Sequence, residues 1–162
     1  MSHHPILLVD DNKEIASTIS QFLELHDYSV DICHNPRQAI DLMAENLYKI
    51  VLSDIQMPGM SGLELLKALK TRSPTTIVIM MTGFHDQSMV VECLENGAHD
   101  FLVKPIRPME LLVEVIAESE KKVARWLAAL RPSAYDPGSM IAGTALTADE
   151  ELSKQQSPPT AD

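Results

Sequence analysis

The chain has 162 residues, an apolar content of 45% and a formal net charge of −10. This length accommodates one ordinary domain with a surplus segment, and the apolar content is sufficient for a hydrophobic core. A sequence-independent nucleic-acid surface needs clustered lysine and arginine, and so does binding to an anionic membrane. The composition therefore argues against both kinds of partner.

The cysteines and the hydropathy pattern bear on the compartment. Cys33 and Cys93 are far apart and have no metal-like spacing, which favours two small buried apolar side chains. Two cysteines without a disulfide framework suit a reducing cytosol. The sequence contains no apolar stretch long enough to span a bilayer and no leader pattern. We expect a cytoplasmic location.

Apolar runs of strand length alternate with segments of helical periodicity, which is typical of βαβ units around a parallel sheet. We predict strands near 6–10, 29–33, 49–54, 76–82 and 100–103. Helices are predicted near 13–26, 36–46, 62–72 and 86–96, with a last helix from about 108. The pattern predicts an α/β fold in three layers, with helices on both faces of the sheet.

The last predicted helix is long, and its apolar residues continue from Leu112 to Leu130. One interpretation is a coiled-coil arm or a partner-docking helix. The alternative is a helix that packs on its own sheet and frays near Arg131. From Pro132 the composition changes, and residues 132–162 form an acidic, proline-containing tail that we predict to be disordered.

Four predicted strands end in polar residues, which are Asp10 with Asp11, Asp54, Thr82 and Lys104. Each residue alone has an ordinary explanation as a helix cap, a turn residue or a surface charge. The carboxyl ends of parallel strands meet at one edge of a sheet, where open α/β folds place their sites. Three carboxylates, a hydroxyl and an ammonium there predict a pocket for a hard divalent cation and a phosphoryl group. Asp54 is the candidate nucleophile, since carboxylates accept phosphoryl groups.

Four segments of the sequence match one known family. They are LLVDD at 7–11, SDIQMPGMSGLELL at 53–66, MMTG at 80–83 and GAHDFLVKP at 97–105. Over roughly residues 4–123 the chain resembles the receiver domain of two-component response regulators. The resemblance implies a (βα)5 flavodoxin-like fold with strand order 2-1-3-4-5, whose last helix we expect to extend to about residue 131.

The resemblance also implies roles for the site residues. Asp54 is expected to be the phospho-acceptor, and Thr82 the hydroxyl that moves onto the phosphoryl group. Lys104 is expected to be the cationic partner of that group, with a cis peptide bond between Lys104 and Pro105. The implied Mg²⁺ (or Mn²⁺) ligands are Asp10, Asp11, Asp54 and the backbone carbonyl of Gln56.

Three further positions depart from the usual family pattern or tune the chemistry. Phe101 stands where many relatives have tyrosine, so we expect it to be buried in both signalling states, which removes the usual rotamer signal. The alternative is that Phe101 acts as the state-reporting switch. Gln56 and Phe84 flank the expected acyl phosphate, and neither is a carboxylate that could orient water. We therefore expect a long-lived phospho-Asp54, with Phe84 restricting water.

The function implied is that of a phosphorelay response regulator. Its donor would be a sensor histidine kinase or a histidine phosphotransfer protein, and its output a downstream protein, an output domain or a phosphorylation-dependent homodimer. The chain is expected either to act alone or to be the N-terminal part of a longer regulator.

Two enzyme-like or cofactor-binding alternatives fit less well, so we expect no turnover of an external substrate. An aspartyl phosphatase requires a second aspartate at the position of Gln56, where it serves as the general acid. A flavin-binding protein requires a phosphate-binding loop after the first strand, where this chain has Asp10 and Asp11.

Overall fold

The computed structural model describes residues 5–83 and 87–130, which contain five parallel strands and five helices. The strands are β1 (Ile6–Val9), β2 (Val30–Cys33), β3 (Ile50–Asp54), β4 (Ile77–Thr82) and β5 (Asp100–Val103). They form one sheet of order β2-β1-β3-β4-β5. The predicted flavodoxin-like topology is confirmed.

The helices alternate with the strands along the chain. They are α1 (Lys13–Glu24), α2 (Pro36–Glu45), α3 (Gly62–Arg72), α4 (Gln87–Glu95) and α5 (Glu110–Ala129). Most bounds lie within two residues of those predicted, as expected for helix ends that fray. The first residue of the predicted helix 86–96 lies outside the described residues.

The sheet separates two apolar clusters, and this makes the domain three-layered. Side chains of β1 alternate between them, with Ile6 and Leu8 on one face and Leu7 and Val9 on the other. Residues of α1 and α5 pack in the first cluster, and residues of α2, α3 and α4 in the second. The three central strands β1, β3 and β4 are buried throughout, as a sheet covered on both faces requires.

Polar caps start the helices that leave the carboxyl edge of the sheet. Asn12 caps α1, its side chain accepting hydrogen bonds from the backbone N–H groups of Glu14 and Ile15. Ser61 and Glu64 form a capping box at the start of α3. These caps fix the turns that follow β1 and β3, which are the strands that carry the carboxylates.

The contacts divide the chain into two units, Met1–Arg125 and Trp126–Asp162. In the first unit Leu112, Ile116 and Val123 of α5 are buried in the core, as the sheet-packing interpretation of this helix predicts. In the second, Trp126 and Leu130 are 36% and 75% exposed. The predicted tail 132–162 lies outside the described residues. None of the helices in the described part of the chain is long and apolar enough to cross a membrane.

Candidate functional site

The carboxylates predicted to form the site lie together at the carboxyl edge of the sheet. Val9 of β1 pairs with Ser53 of β3, and this register brings the ends of the two strands side by side. Asp10, Asp11 and Asp54 each place an oxygen within 4.8 Å of the others. Asp10 and Asp54 are buried, whereas Asp11 is exposed and leaves one side of the cluster open to solvent.

Both carboxylate oxygens of Asp10 have partners. Oδ1 accepts a hydrogen bond from the backbone N–H of Asn12 at 2.9 Å, and Oδ2 lies 2.5 Å from Nζ of Lys104. The same ammonium lies 3.4 Å from Oδ2 of Asp54. Lys104 follows β5, and its backbone N–H donates to the carbonyl of Thr82 at 2.7 Å. The Lys104-Pro105 peptide bond is cis.

The groups around Asp54 shift the pKa of its carboxyl away from the ordinary value. Burial raises the pKa of its carboxyl, the ammonium of Lys104 opposes that change, and the nearby Asp10 carboxylate raises the pKa further. The backbone N–H of Gln56 donates to Oδ1 over a long 3.4 Å and opposes the rise weakly. The ionised form of Asp54 is therefore incompletely compensated by the protein alone.

The donor set fits a divalent cation. Three carboxylates and one ammonium leave a formal charge of −2 in a small volume. Hard oxygen donors with one open side are the arrangement that Mg²⁺ accepts, because this ion keeps part of its water shell. The chemistry of the residues present therefore agrees with a magnesium site.

Two of the other predicted residues, Thr82 and Gln56, differ in how far they are exposed. Thr82 is buried at the end of β4, and its hydroxyl donates to the carbonyl of Gly83 at 2.8 Å. Gln56 is exposed in the loop after β3. Phe84 lies outside the described residues.

The expected burial of Phe101 is wrong for this conformation, since the residue is 38% exposed. The reason is its position on the edge strand β5, where Val103 is also 37% exposed. Both side chains line a cavity with α4, and the nearby helix does not cover them fully.

Gly62 is a residue whose importance the sequence does not reveal. A Cβ at this position would lie 2.0 Å from the carbonyl oxygen of Asp54 and 2.8 Å from Cα of Ile55. Its backbone N–H donates to the carbonyl of Ile55 at 2.8 Å. Only glycine allows the start of α3 to approach the end of β3 this closely.

His34 is the second such residue. Its ring Nδ1 lies 2.9 Å from the backbone carbonyl of Asp10. Its position could be predicted from the sequence, because His34 directly follows the second predicted strand, 29–33, and this strand ends at the same edge of the sheet as the other four. Its hydrogen bond to the Asp10 carbonyl has no counterpart in the sequence pattern.

Comparison with known proteins agrees with this geometry. The family model of the response regulator receiver domain matches residues 6–116. The chain is 39% identical over 112 residues to the uncharacterized transcriptional regulatory protein YkoG of Bacillus subtilis, covering 69% of this chain and 49% of YkoG. It is 35% identical over 107 residues to a cyclic di-GMP phosphodiesterase of Thermotoga maritima, covering 66% of this chain and 28% of that protein.

A solved structure shows the same fold. The response regulator receiver domain protein from Methanospirillum hungatei superposes with a TM-score of 0.71 at 29% identity, covering 76% of this chain and 99% of that one. The strand order defines a flavodoxin-like α/β domain, and the three carboxylates at the edge of its sheet are suited to hold a metal ion. Within that class, the chain belongs to the response regulator receiver domain family. It spans about half or less of the length of the two curated relatives described above.

Proposed function

We propose that this receiver domain accepts a phosphoryl group on Asp54 from a phosphohistidine, with Mg²⁺ held by the surrounding acidic groups. The observation that carries the proposal is the position of the Asp54 carboxylate, within 4.8 Å of the other two carboxylates and 3.4 Å from the Lys104 ammonium. Asp10, Asp11, Asp54 and the backbone carbonyl of Gln56 are the proposed metal ligands. The proposed donors are a sensor histidine kinase or a histidine phosphotransfer protein.

The transfer step exchanges one bond to phosphorus for another. A carboxylate oxygen of Asp54 bonds to phosphorus in line with the breaking P–N bond, and the imidazole nitrogen keeps the electron pair and takes a proton from water. Such a reaction depends on positioning and on neutralising charge at the phosphoryl oxygens. The Lys104 ammonium supplies part of that positive charge from its place between Asp10 and Asp54, and Mg²⁺ held by the carboxylates would supply more.

The switch follows from the new charge on Asp54. A phosphoryl group adds negative charge and acceptor oxygens that an ammonium and a hydroxyl can bind. Lys104 is already within reach, whereas the Thr82 hydroxyl must first leave the carbonyl of Gly83. Movement of Thr82 is therefore the proposed first event in transmitting the phosphorylated state.

The output side of the proposal rests on the surface next to Thr82. Thr82 lines a cavity of about 490 Å³ together with Val91, Leu94, Phe101 and Val103. These exposed apolar side chains give a moving Thr82 a surface through which to alter contacts with a downstream protein, an output domain or a second copy. Phe101→Ala is expected to weaken partner binding that depends on phosphorylation, and unchanged binding would exclude Phe101 from the switch.

The proposed receiver unit covers residues 4–123, and α5 continues beyond it to Ala129. The relatives carry names of different kinds, a transcriptional regulator and a phosphodiesterase, so receivers of this family serve several outputs. The proposed activity of this chain is limited to its own phosphorylation and dephosphorylation. Its proposed location is cytoplasmic.

The acyl phosphate is proposed to be long-lived. Gln56 is exposed near Asp54 and carries an amide, which cannot take a proton from an attacking water as a carboxylate can. Phe84 is also proposed to restrict the access of water. Decay of phospho-Asp54 within seconds in the presence of Mg²⁺ would contradict this part of the proposal.

The test of the function uses phosphoramidate, a small donor whose P–N bond imitates phosphohistidine. Intact-mass measurement is expected to show one added phosphoryl group in wild type with Mg²⁺, and none in Asp54→Ala or in EDTA. Asp41→Ala, an exposed carboxylate on α2, serves as the matched control and is expected to label normally. Equal labelling of wild type and Asp54→Ala would exclude Asp54 as the acceptor.

A further inference from the structure

His34 reaches the metal-binding edge from the end of β2. Its Nδ1 lies 2.9 Å from the backbone carbonyl oxygen of Asp10. A carbonyl oxygen can only accept, so Nδ1 carries the hydrogen and donates it. In the neutral ring the other nitrogen, Nε2, is then without a hydrogen.

The segment that carries His34 is anchored on both sides. The backbone N–H of Asp10 donates to the carbonyl of Cys33 at 3.1 Å, so the chain before His34 is tied to the end of β1. The thiol of Cys33 donates to the carbonyl of Asn35 at 3.0 Å. The Asn35 side chain caps α2 by accepting from the backbone N–H of Arg37 at 2.9 Å. These hydrogen bonds hold the backbone on both sides of His34 and thereby position its ring.

The hydrogen bond acts on the peptide group between two proposed metal ligands. The Asp10 carboxylate is already held by Asn12 and Lys104, so it does not need His34. The exposed Asp11 carboxylate depends instead on the orientation of the peptide that joins it to Asp10. Asp11 and His34 line the same cavity of about 280 Å³, which places the ring on the Asp11 side of the cluster.

We propose that His34 is a positioning residue for the metal site. By holding the Asp10 carbonyl, it fixes the Asp10–Asp11 peptide and presents the Asp11 carboxylate to the cation. The proposal rests on the proposed function only in that the three carboxylates bind Mg²⁺. Groups that orient metal ligands without touching the metal commonly change its affinity by about 10–100-fold.

Two substitutions at this position separate the hydrogen bond from the size of the side chain. In His34→Asn the amide nitrogen is attached to Cγ, as Nδ1 is, and it can donate to the same carbonyl. His34→Leu has the same branching at Cγ and no donor. His26→Leu is the matched control, because Nδ1 of His26 contacts a backbone carbonyl, that of Phe22, at 2.9 Å at the end of α1.

The measurement is the Mg²⁺ dissociation constant of the purified full chain by titration calorimetry, with MgCl₂ as the only ligand. We expect His34→Leu to bind Mg²⁺ roughly 10-fold more weakly, and His34→Asn to stay within about threefold of wild type. His26→Leu is expected to bind as wild type does. Unfolding in EDTA verifies that each variant is folded.

Several results would overturn the proposal. Wild-type affinity in His34→Leu excludes the positioning role, and an equal loss in both His34 variants assigns the effect to ring volume. If a variant does not fold, the ¹⁵N chemical shifts of the His34 ring in the wild-type protein provide the test. A ring that has no hydrogen on Nδ1 cannot donate to the Asp10 carbonyl and would refute the proposal. A wild-type chain that binds no Mg²⁺ refutes the proposed metal site and this inference with it, so the two failures are distinguishable.

Discussion

The two edges of the sheet hold charge in opposite ways. At the carboxyl edge, the carboxylates of Asp10 and Asp54 share the ammonium of Lys104. At the amino edge, the half-buried charge of Lys70 is positive and the main chain compensates it. The ammonium of Lys70 donates to the carbonyl of Thr76 at 2.6 Å and to that of Pro74 at 3.4 Å.

The two edges differ in the groups that compensate their charge. Burial lowers the pKa of Lys70 and raises that of Asp54, so desolvation opposes the charged form in both places. The backbone carbonyls that accept from Lys70 belong to the folded chain itself, so its charge is compensated without an added ligand. The carboxylates at the other edge repel one another, and Lys104 offsets them only in part. The charge of the carboxylates therefore favours an added cation at the carboxyl edge, whereas Lys70 at the amino edge disfavours one.

The largest effect is expected from Lys104→Met. This change removes the ammonium from the fully buried Asp10 carboxylate, and breaking a buried pair in this way costs about 3 kcal/mol of unfolding free energy. Mg²⁺ supplies positive charge to the same carboxylates and is expected to reduce the difference from wild type. Urea denaturation in EDTA and in MgCl₂ measures both values.

Lys70→Met is the matched substitution at the amino edge. It removes hydrogen bonds to main-chain carbonyls and a charge that burial disfavours, so we expect a loss of about 1 kcal/mol that does not depend on Mg²⁺. A Lys104→Met deficit that Mg²⁺ leaves unchanged, or a Lys70→Met deficit that Mg²⁺ repairs, would contradict the contrast between the edges.

The next effect tests how closely the backbone must pack at the carboxyl edge. Gly62→Ala places a Cβ 2.0 Å from the carbonyl oxygen of Asp54, which forces α3 away from β3. We expect a loss of about 2–3 kcal/mol in thermal or urea unfolding, together with weaker Mg²⁺ binding. In the control Gly83→Ala, the added Cβ meets nothing within 4 Å, so its stability should match wild type. Equal stability of the two variants would show that the close approach is dispensable.

The contrast between Asp54 and Gly62 also shows what the sequence can predict. Apolar runs and their polar ends identify the strands, and parallel pairing then brings Asp10, Asp11 and Asp54 together without further information. The need for glycine at position 62 arises from the distance between α3 and β3, which appears only once the helix is packed.

Phe101 illustrates a different limit. Its exposure depends on which side chains of neighbouring elements pack over the edge strand β5. The apolar pattern of β5 itself does not specify those neighbours. His34 is an intermediate case, because its place after β2 is predictable but its hydrogen bond to the Asp10 carbonyl is not.

Asp54→Asn is expected to have a smaller effect in EDTA and, unlike the preceding variants, to stabilise the fold. The raised pKa of Asp54 means that its carboxyl ionises more readily in the unfolded chain, so ionisation disfavours the fold at neutral pH. Replacing it by a neutral isostere should raise the melting temperature of the metal-free protein. Mg²⁺ should then stabilise wild type more than the variant. A lower melting temperature for Asp54→Asn in EDTA would show that Lys104 overcompensates the carboxylate.

The smallest effect is expected at the amino edge, at His99. Burial lowers the pKa of this imidazole below its ordinary 6.5, the ammonium groups of Lys122 and Lys70 lower it further, and Asp100 and Glu118 oppose them. Nδ1 accepts from Lys122 at 3.0 Å, which requires the neutral ring.

The sign of the pH dependence follows from these contacts. As the pH falls below 6.5, the unfolded chain takes up the proton before the folded one does, so the unfolding free energy decreases and levels off once the folded imidazole is also protonated. His99→Asn retains an acceptor for Lys122 without a titrating group. Its unfolding free energy should therefore fall less than that of wild type between neutral and mildly acidic pH, whereas parallel curves would mean that His99 titrates alike in both states.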